Sequence, residues 1–355
     1  MTERTEAAVL VETGKPLQLM KLVLPDLGNG QVLVDIAYSG VCHSQLNEIQ
    51  GNRGPDRFLP HTLGHEGSGT VLEVGPGVTK VVPGDRVVVT WLKGDGADVP
   101  STQYGSEAGP VNSGAVSTFI RRAVISENRL VPIPQHMPLR EAALLGCAIP
   151  TGGGIVLNTM KVDAGDSVAV FGVGGIGLSA VLTASMCKAD KIIAIDICGD
   201  KLAHAGKMGA THTIDASTEG PLEKILQLTD GKGVDFAIEA AGITEVMETA
   251  LKSVRTGGGL CVLAGNPAMG KTIAIDPFDL IQGRNIKGSW GGESDSDRDI
   301  LRYAQWHLTG NMPLSGLITH EYSLDQINQA FADLESGKLG RGIVDMSLGA
   351  TNGET

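Results

Sequence analysis

At 355 residues the chain is long enough for two domains, and 42% hydrophobic residues mark a globular composition. Twenty-eight Lys and Arg against 40 Asp and Glu give a net charge of −12, with only 4% aromatic residues and no basic run, which argues against a nucleic-acid surface. The opening MTERTEAAVLVETGKPL has no basic segment leading into an apolar one, no uninterrupted apolar run reaches about 18 residues, and five irregularly spaced cysteines suit reduced thiols. A cytoplasmic protein is expected, with no membrane or nucleic-acid partner.

In chain order, residues 1 to about 150 carry alternating and β-branched runs, QVLVDIAYSG, GSGTVLEVG, DRVVVTW and VSTFIRRAVIS, with Gly and Pro at short intervals. This part reads as mostly β with many turns. From Asp166 the rhythm changes. SVAVFG, KIIAID, THTID, VDFAIEAAG, LCVLAG and NIKGSW are six short strand-like runs, most of them separated by helical stretches such as LSAVLTASMCKA and PLEKILQLTD. Such alternation predicts an α/β, doubly wound parallel sheet with helices on both faces. After Trp290, RDILRYAQWHL and SLDQINQAFADLESG read as helices, the second opened by a Ser N-cap and closed near Gly337, and the polar tail as frayed.

The first α/β strand runs into FGVGGIGLSAV, where Gly172, Gly174 and Gly177 spell G-x-G-x-x-G between a strand and a helix. The first glycine permits the tight turn, the second lets backbone approach a pyrophosphate, and the third lets helix and strand pack closely. Gly175 and Ile176 complete the turn. Asp196 closes the next strand, 19 residues after Gly177. A carboxylate there accepts bonds from an adenosine ribose diol and repels a 2′-phosphate, so the expected cofactor is NAD.

LGHEGSGTVLEVGPGV contains Gly64, His65, Glu66, Gly69, Gly75 and Val78 in the pattern G-H-E-x2-G-x5-G-x2-V. This resembles the signature of the zinc-containing alcohol dehydrogenases of the medium-chain dehydrogenase/reductase family. The resemblance extends through GVCHS, GDRVVV, GCAIPTGGG and the dinucleotide fingerprint to GRNIKGSWGG, nearly the whole chain in the family's order. It implies a mostly β, GroES-like catalytic domain over 1–150 and 291–355, a Rossmann domain over 151–290 and an active site in the cleft between them. It implies one catalytic zinc held by Cys42, His65 and Cys147, with Glu66 beside it as a supporting or exchangeable fourth ligand. Two thiolates and a neutral imidazole hold zinc tetrahedrally and leave one corner for an alcohol, and the Lewis acid favours hydride transfer to a nicotinamide. Cys187, Cys198 and Cys261 lack this context and read as ordinary thiols.

By the same resemblance Ser44 hydrogen-bonds the substrate hydroxyl and starts its proton's exit. His43 and Arg341 match positions near the cofactor pyrophosphate, Thr151 one beside the nicotinamide and Lys201 one near the adenosine ribose; Gly265 falls in the cofactor-lining set. A small-molecule substrate and a homodimer or homotetramer are expected. Three departures stand out. The lobe WLKGDGADVPSTQYGSEAGPVNSG has no cysteine, so the family's frequent second, structural zinc is not expected. Gln45 stands where many members have an Asp that orients the zinc histidine, so that orienting group is missing or supplied elsewhere. Asn47 replaces a relay histidine and cannot take up a proton.

Trp91 matches an aromatic wall of the alcohol pocket, and Asn112, near an often apolar position, hints at a polyol or sugar-like substrate. Arg121 and Arg122 are candidate anion contacts or solvated charges. The expected activity is zinc-dependent hydride transfer between a CH–OH group and NAD. The alternatives are a zinc-free reductase of activated double bonds, which would lack the ligands, and a non-catalytic cofactor-binding protein of the same fold.

Overall fold

The computed structural model describes residues 3–349; the end of the polar tail lies outside them. The chain divides into two compact units. One runs to Cys147 and takes in Asp295–Gly310 and the chain from Ile318 on; the other comprises Ala148–Ser294 and Asn311–Leu317.

The first unit is built on two sheets. A seven-stranded sheet has the order Leu130–Pro132, Arg86–Thr90, Glu66–Val74, Gln31–Gly40, Gly342–Asp345 and His320–Ser323, with Arg122–Ser126 also pairing to Gln31–Gly40. A five-stranded sheet contains Gln18–Val23, Arg4–Leu10, His61–Thr62, Val111–Asn112 and Gln103–Tyr104. Val32, Leu33, Val34 and Ile36 are buried in this strand while Asp35 is exposed, so apolar residues on both faces are covered and one polar residue meets solvent. The C-terminal strand joins antiparallel, with Ile343 opposite Gly40, so the last part of the chain completes a sheet begun near its start.

The cysteine-free lobe is organised by one carboxylate. Glu127, 2% exposed, accepts from the backbone N–H groups of Thr79 (2.6 Å) and Lys80 (2.8 Å) on one oxygen and of Ala97 (2.7 Å) on the other. Burial pushes its carboxyl up, but these three bonds outweigh it and hold the group below the usual range. Asp297 adds a second tie, accepting from Asp95 N–H (2.7 Å) and pairing with Lys80 at 2.5 Å. Both arginines of VSTFIRRAVIS are engaged structurally: Arg121 with Glu6 (3.0 Å) and the Met346 carbonyl, Arg122 with Glu3.

The second unit is a six-stranded parallel sheet in the order His212–Asp215, Lys191–Asp196, Ser167–Phe171, Phe236–Glu239, Leu260–Leu263, Asn285–Gly288. The central strands are buried on both faces, as in Val168, Ala169 and Val170, because helices cover both sides. The strand order reverses around Ser167–Phe171, placing the glycine turn at the switch point where doubly wound sheets take ligands. Asn311–Leu317, expected with the catalytic domain, belongs to this unit: its backbone at Gly316 hydrogen-bonds His204 and lies against Met208.

Candidate metal centre and cofactor turn

Three segments of the first unit deliver the metal-binding side chains. Cys42 is the N-cap of the short helix His43–Ile49. His65 precedes the strand Glu66–Val74, and Cys147 ends the buried turn Ala143–Gly146. One donor atom from each comes together, all within 4.8 Å of one another. Cys147 is buried and the other two half-buried. A hydrogen bond with Cys147, helped by His65 and by the charge of Arg341, holds the Cys42 thiol well below its usual range against the effect of burial. Two soft sulfurs and an imidazole in a pocket that favours thiolate fit zinc.

Gln45 supplies the missing orienting group. Its buried amide faces three donors at one end, Gly64 N–H (2.9 Å), His65 N–H (3.1 Å) and His65 Nδ1 (3.3 Å), so that end is the carbonyl oxygen; these outweigh the single 3.3 Å approach of Cys42 N–H. An acceptor at Nδ1 places the ring proton there and leaves the Nε2 lone pair for a metal. The sequence expectation of a lost or relocated orienting group is thus corrected: an amide oxygen does the carboxylate's work from the same position.

Glu66 is fully buried against Gly40, where a Cβ would come within 2.5 Å of its carboxylate. That carboxylate is ion-paired with Arg341, which is 6% exposed and also donates to the Val41 carbonyl at 3.0 Å. Arg341, which the resemblance puts near the cofactor pyrophosphate, is in this structure a buried partner of Glu66, and burial lowers its pKa. Ser44 donates to Cys42 Sγ at 3.3 Å, so its hydroxyl lies next to the donor set. His43 is exposed. Asn47 accepts from Asn52 Nδ2 at 3.3 Å. Asn112 is already committed: its amide donates to the Phe58 carbonyl (2.8 Å) and accepts from Gln103 (2.9 Å). The residue that hinted at a polyol thus ties the Phe58 backbone to Gln103.

In the second unit Gly172 has φ +86°, and a Cβ there would meet Ala241 N at 2.9 Å, so only glycine makes the turn. Gly174 caps the helix Gly175–Met186, yet a Cβ there would meet nothing within 4 Å. The protein itself does not require that bare surface, whereas a pyrophosphate over the helix N-terminus does. At Gly177 a Cβ would strike the Gly172 carbonyl, the close helix-to-strand contact expected of the third glycine. Asp196 accepts from Val173 N–H (2.9 Å) through one oxygen and from Ile197 and Cys198 N–H through the other, leaving about one of its four acceptor positions for a ligand. Lys201 stands in the first turns of the helix Gly199–Lys207. The Thr151 hydroxyl is buried and has no hydrogen-bond partner among the described residues.

Glu239 was not singled out from the sequence. It is fully buried at the end of Phe236–Glu239 and accepts from Ala241 (2.9 Å) and Gly242 (2.7 Å), whose loop abuts both the Gly172 turn and Gly265. Burial raises its pKa. A polar residue ending an otherwise apolar strand was the available signal.

Residues 28–135 match the alcohol dehydrogenase GroES-like domain model, and residues 175–306 match the zinc-binding dehydrogenase model. The S-(hydroxymethyl)glutathione dehydrogenase of Synechocystis sp. is 35% identical over 367 aligned residues, covering 96% of this chain and 99% of that protein. A solved alcohol dehydrogenase zinc-binding domain protein from Burkholderia ambifaria superposes with a TM-score of 0.89 at 33% identity, covering 97% of this chain and 99% of that one. The benzyl alcohol dehydrogenase of Acinetobacter calcoaceticus gives 0.87 at 30% identity with the same coverage.

Proposed function

Because the chain belongs to the zinc-containing alcohol dehydrogenase family and is a zinc-dependent alcohol oxidoreductase, we propose that it oxidises a small alcohol with NAD, using one zinc per chain. The carrying observation is the Cys42–His65–Cys147 donor set with Gln45 at the imidazole. Those three side chains hold the zinc, which supplies Lewis acidity toward the alcohol oxygen. The zinc-free alternative loses its basis where all three ligands converge.

The chain's own residues manage the rest. Gln45 holds the His65 ring in orientation through its Nδ1. Ser44 receives the substrate's hydroxyl proton and passes it on. Glu66 is no outlet, being fully buried and paired with Arg341, and Asn47 has no basic lone pair, so the proton leaves to water or to a histidine outside these two positions. Asp196 selects NAD: a 2′-phosphate would bring negative charge against a carboxylate already fixed by three backbone bonds. The relatives named for S-(hydroxymethyl)glutathione and benzyl alcohol support a simple alcohol over a polyol.

We also place the chain in a homodimer or homotetramer. Asn285–Gly288 is a sheet edge, and next to it Phe278 and Ile281 are 58% and 76% exposed, an apolar rim that a second copy would cover. Sedimentation would show a dimer or larger; a monomer at micromolar concentration would refute it.

NADH formation across simple alcohols, aromatic alcohols, S-(hydroxymethyl)glutathione, polyols and sugar derivatives tests the activity. Turnover of an alcohol that disappears with Cys147→Ser is expected. Oxidation of none of them by zinc-loaded protein, or undiminished turnover in Cys147→Ser, would overturn the reading.

A further inference from the structure

A second group of metal-ligating side chains lies in the first unit, independent of the reading above: Glu48, Asp56 and His61, whose donor atoms also lie within 4.8 Å of one another. His61 is 6% exposed, in the strand His61–Thr62. Its Nδ1 lies 3.1 Å from the Thr62 carbonyl. A carbonyl only accepts, so Nδ1 carries a proton and Nε2 is left to face what lies opposite. Opposite are two carboxylates, Asp56 Oδ2 at 2.7 Å and Glu48 Oε1 at 3.9 Å.

Three acceptors converging on one point need a positive group between them, either a proton on Nε2 or a metal ion. Several features fit the ion. The Nδ1–H to backbone carbonyl bond is the support that metal-bound histidines usually have. Asp56 is pre-aimed, because its other oxygen accepts from Phe58 N–H at 2.8 Å. Glu48 keeps 31% of its side chain exposed, which provides an entry path. One imidazole and two carboxylates suit a divalent ion of the zinc or nickel type. The 2.7 Å approach is a hydrogen-bond length, so ring and carboxylate would part by roughly 0.5 Å to accept an ion with bonds of about 2.0–2.2 Å.

We propose that Glu48, Asp56 and His61 form a second divalent-cation site of oxygen–nitrogen character, weaker and more exchangeable than the cysteine-containing one. The two sites share scaffolding. Cys42 and Glu48 bracket the helix His43–Ile49, while His61 and His65 lie four residues apart on the following segment.

The test is zinc titration at pH 8 of the intact protein after brief treatment with a mild chelator, read by equilibrium dialysis. Wild type should retain about one equivalent and take up a second, weaker one. His61→Ala should lose the second and keep the first. Glu48→Gln, at a part-exposed helix position, should weaken only the second, by more than the ~10-fold typical of losing a supporting group. Cobalt added as the second equivalent should bring no thiolate charge-transfer band. The proposal is overturned if wild type takes up no second equivalent, as a simple protonated His61–Asp56 pair requires, if the second equivalent survives in both variants, or if it shows thiolate absorption.

Discussion

Gln45 is the residue on which the metal centre's precision rests, and Gln45→Leu isolates its contribution at nearly constant volume. The wild-type oxygen accepts from Gly64 N–H, His65 N–H and His65 Nδ1. Leucine leaves all three without an acceptor in a place where the side chain is 1% exposed. The two backbone donors, at ~1–2 kcal/mol each, cost about 2–4 kcal/mol of stability. The lost Nδ1 acceptor frees the ring to rotate and to change tautomer, and supporting groups of this kind are worth about 10–100-fold in metal affinity, or roughly 1.4–2.7 kcal/mol. Competition with a chromophoric chelator measures the affinity, with circular dichroism as a check on folding. Gln45→Glu keeps the acceptor and should hold zinc at least as well as wild type. Wild-type zinc affinity in folded Gln45→Leu, or an equal loss in Gln45→Glu, would refute the reasoning.

Asp196→Asn keeps an acceptor for the glycine turn but removes the charge, so the ratio of kcat/KM for NAD over NADP should fall by about tenfold, ~1.4 kcal/mol; an unchanged ratio in steady-state assays would count against its selecting role. Glu127→Gln turns an amide N–H₂ toward a backbone donor and should lower stability by about 1.5–3 kcal/mol in urea unfolding at pH 7. Because the folded-state carboxyl lies below its usual value of about 4.3, its contribution is present above that value and lost as pH falls through the lower folded one. The gap between wild type and Glu127→Gln should therefore narrow below about pH 4; a constant gap would show that charge is irrelevant there. Ser44→Ala should cut kcat/KM by something approaching 10²–10⁴-fold while Asn47→Ala stays mild, and equal damage in the two pH profiles would mean that Asn47 positions a ligand.

What could be read from the sequence is what is local in it. The glycine turn, the six apolar strands and the G-H-E signature each occupy a short window, and each determines its own backbone. The exceptions are contacts between distant windows. Arg341 meets the Val41 carbonyl 300 positions away only because Gly342–Asp345 pairs with Gln31–Gly40, and no periodicity announces which strand a C-terminal segment will join. Gln45 was misread for a different reason. A missing carboxylate looks like a missing function until the geometry shows that the requirement is an acceptor at Nδ1, which an amide also meets. Asn112 is a further contact between distant windows: its amide donates to the Phe58 carbonyl and accepts from Gln103, partners that no local pattern announces.

The pairing of Glu66 with Arg341 also explains why a third anion is tolerable beside the donor set. Two thiolates balance a divalent zinc, so the ligand set is neutral when filled. A fully buried Glu66 would add an uncompensated negative charge, at a cost of several kcal/mol. The guanidinium cancels it, while its charge also favours the Cys42 thiolate. Arg341 is itself buried, which lowers its pKa, and a lysine there, with a single ammonium, could not serve Glu66 and the Val41 carbonyl through the same planar fork. The C-terminal segment thus supplies the first unit with more than a sheet partner: the residue just before its strand is the cation that lets two thiolates and a carboxylate share one interior.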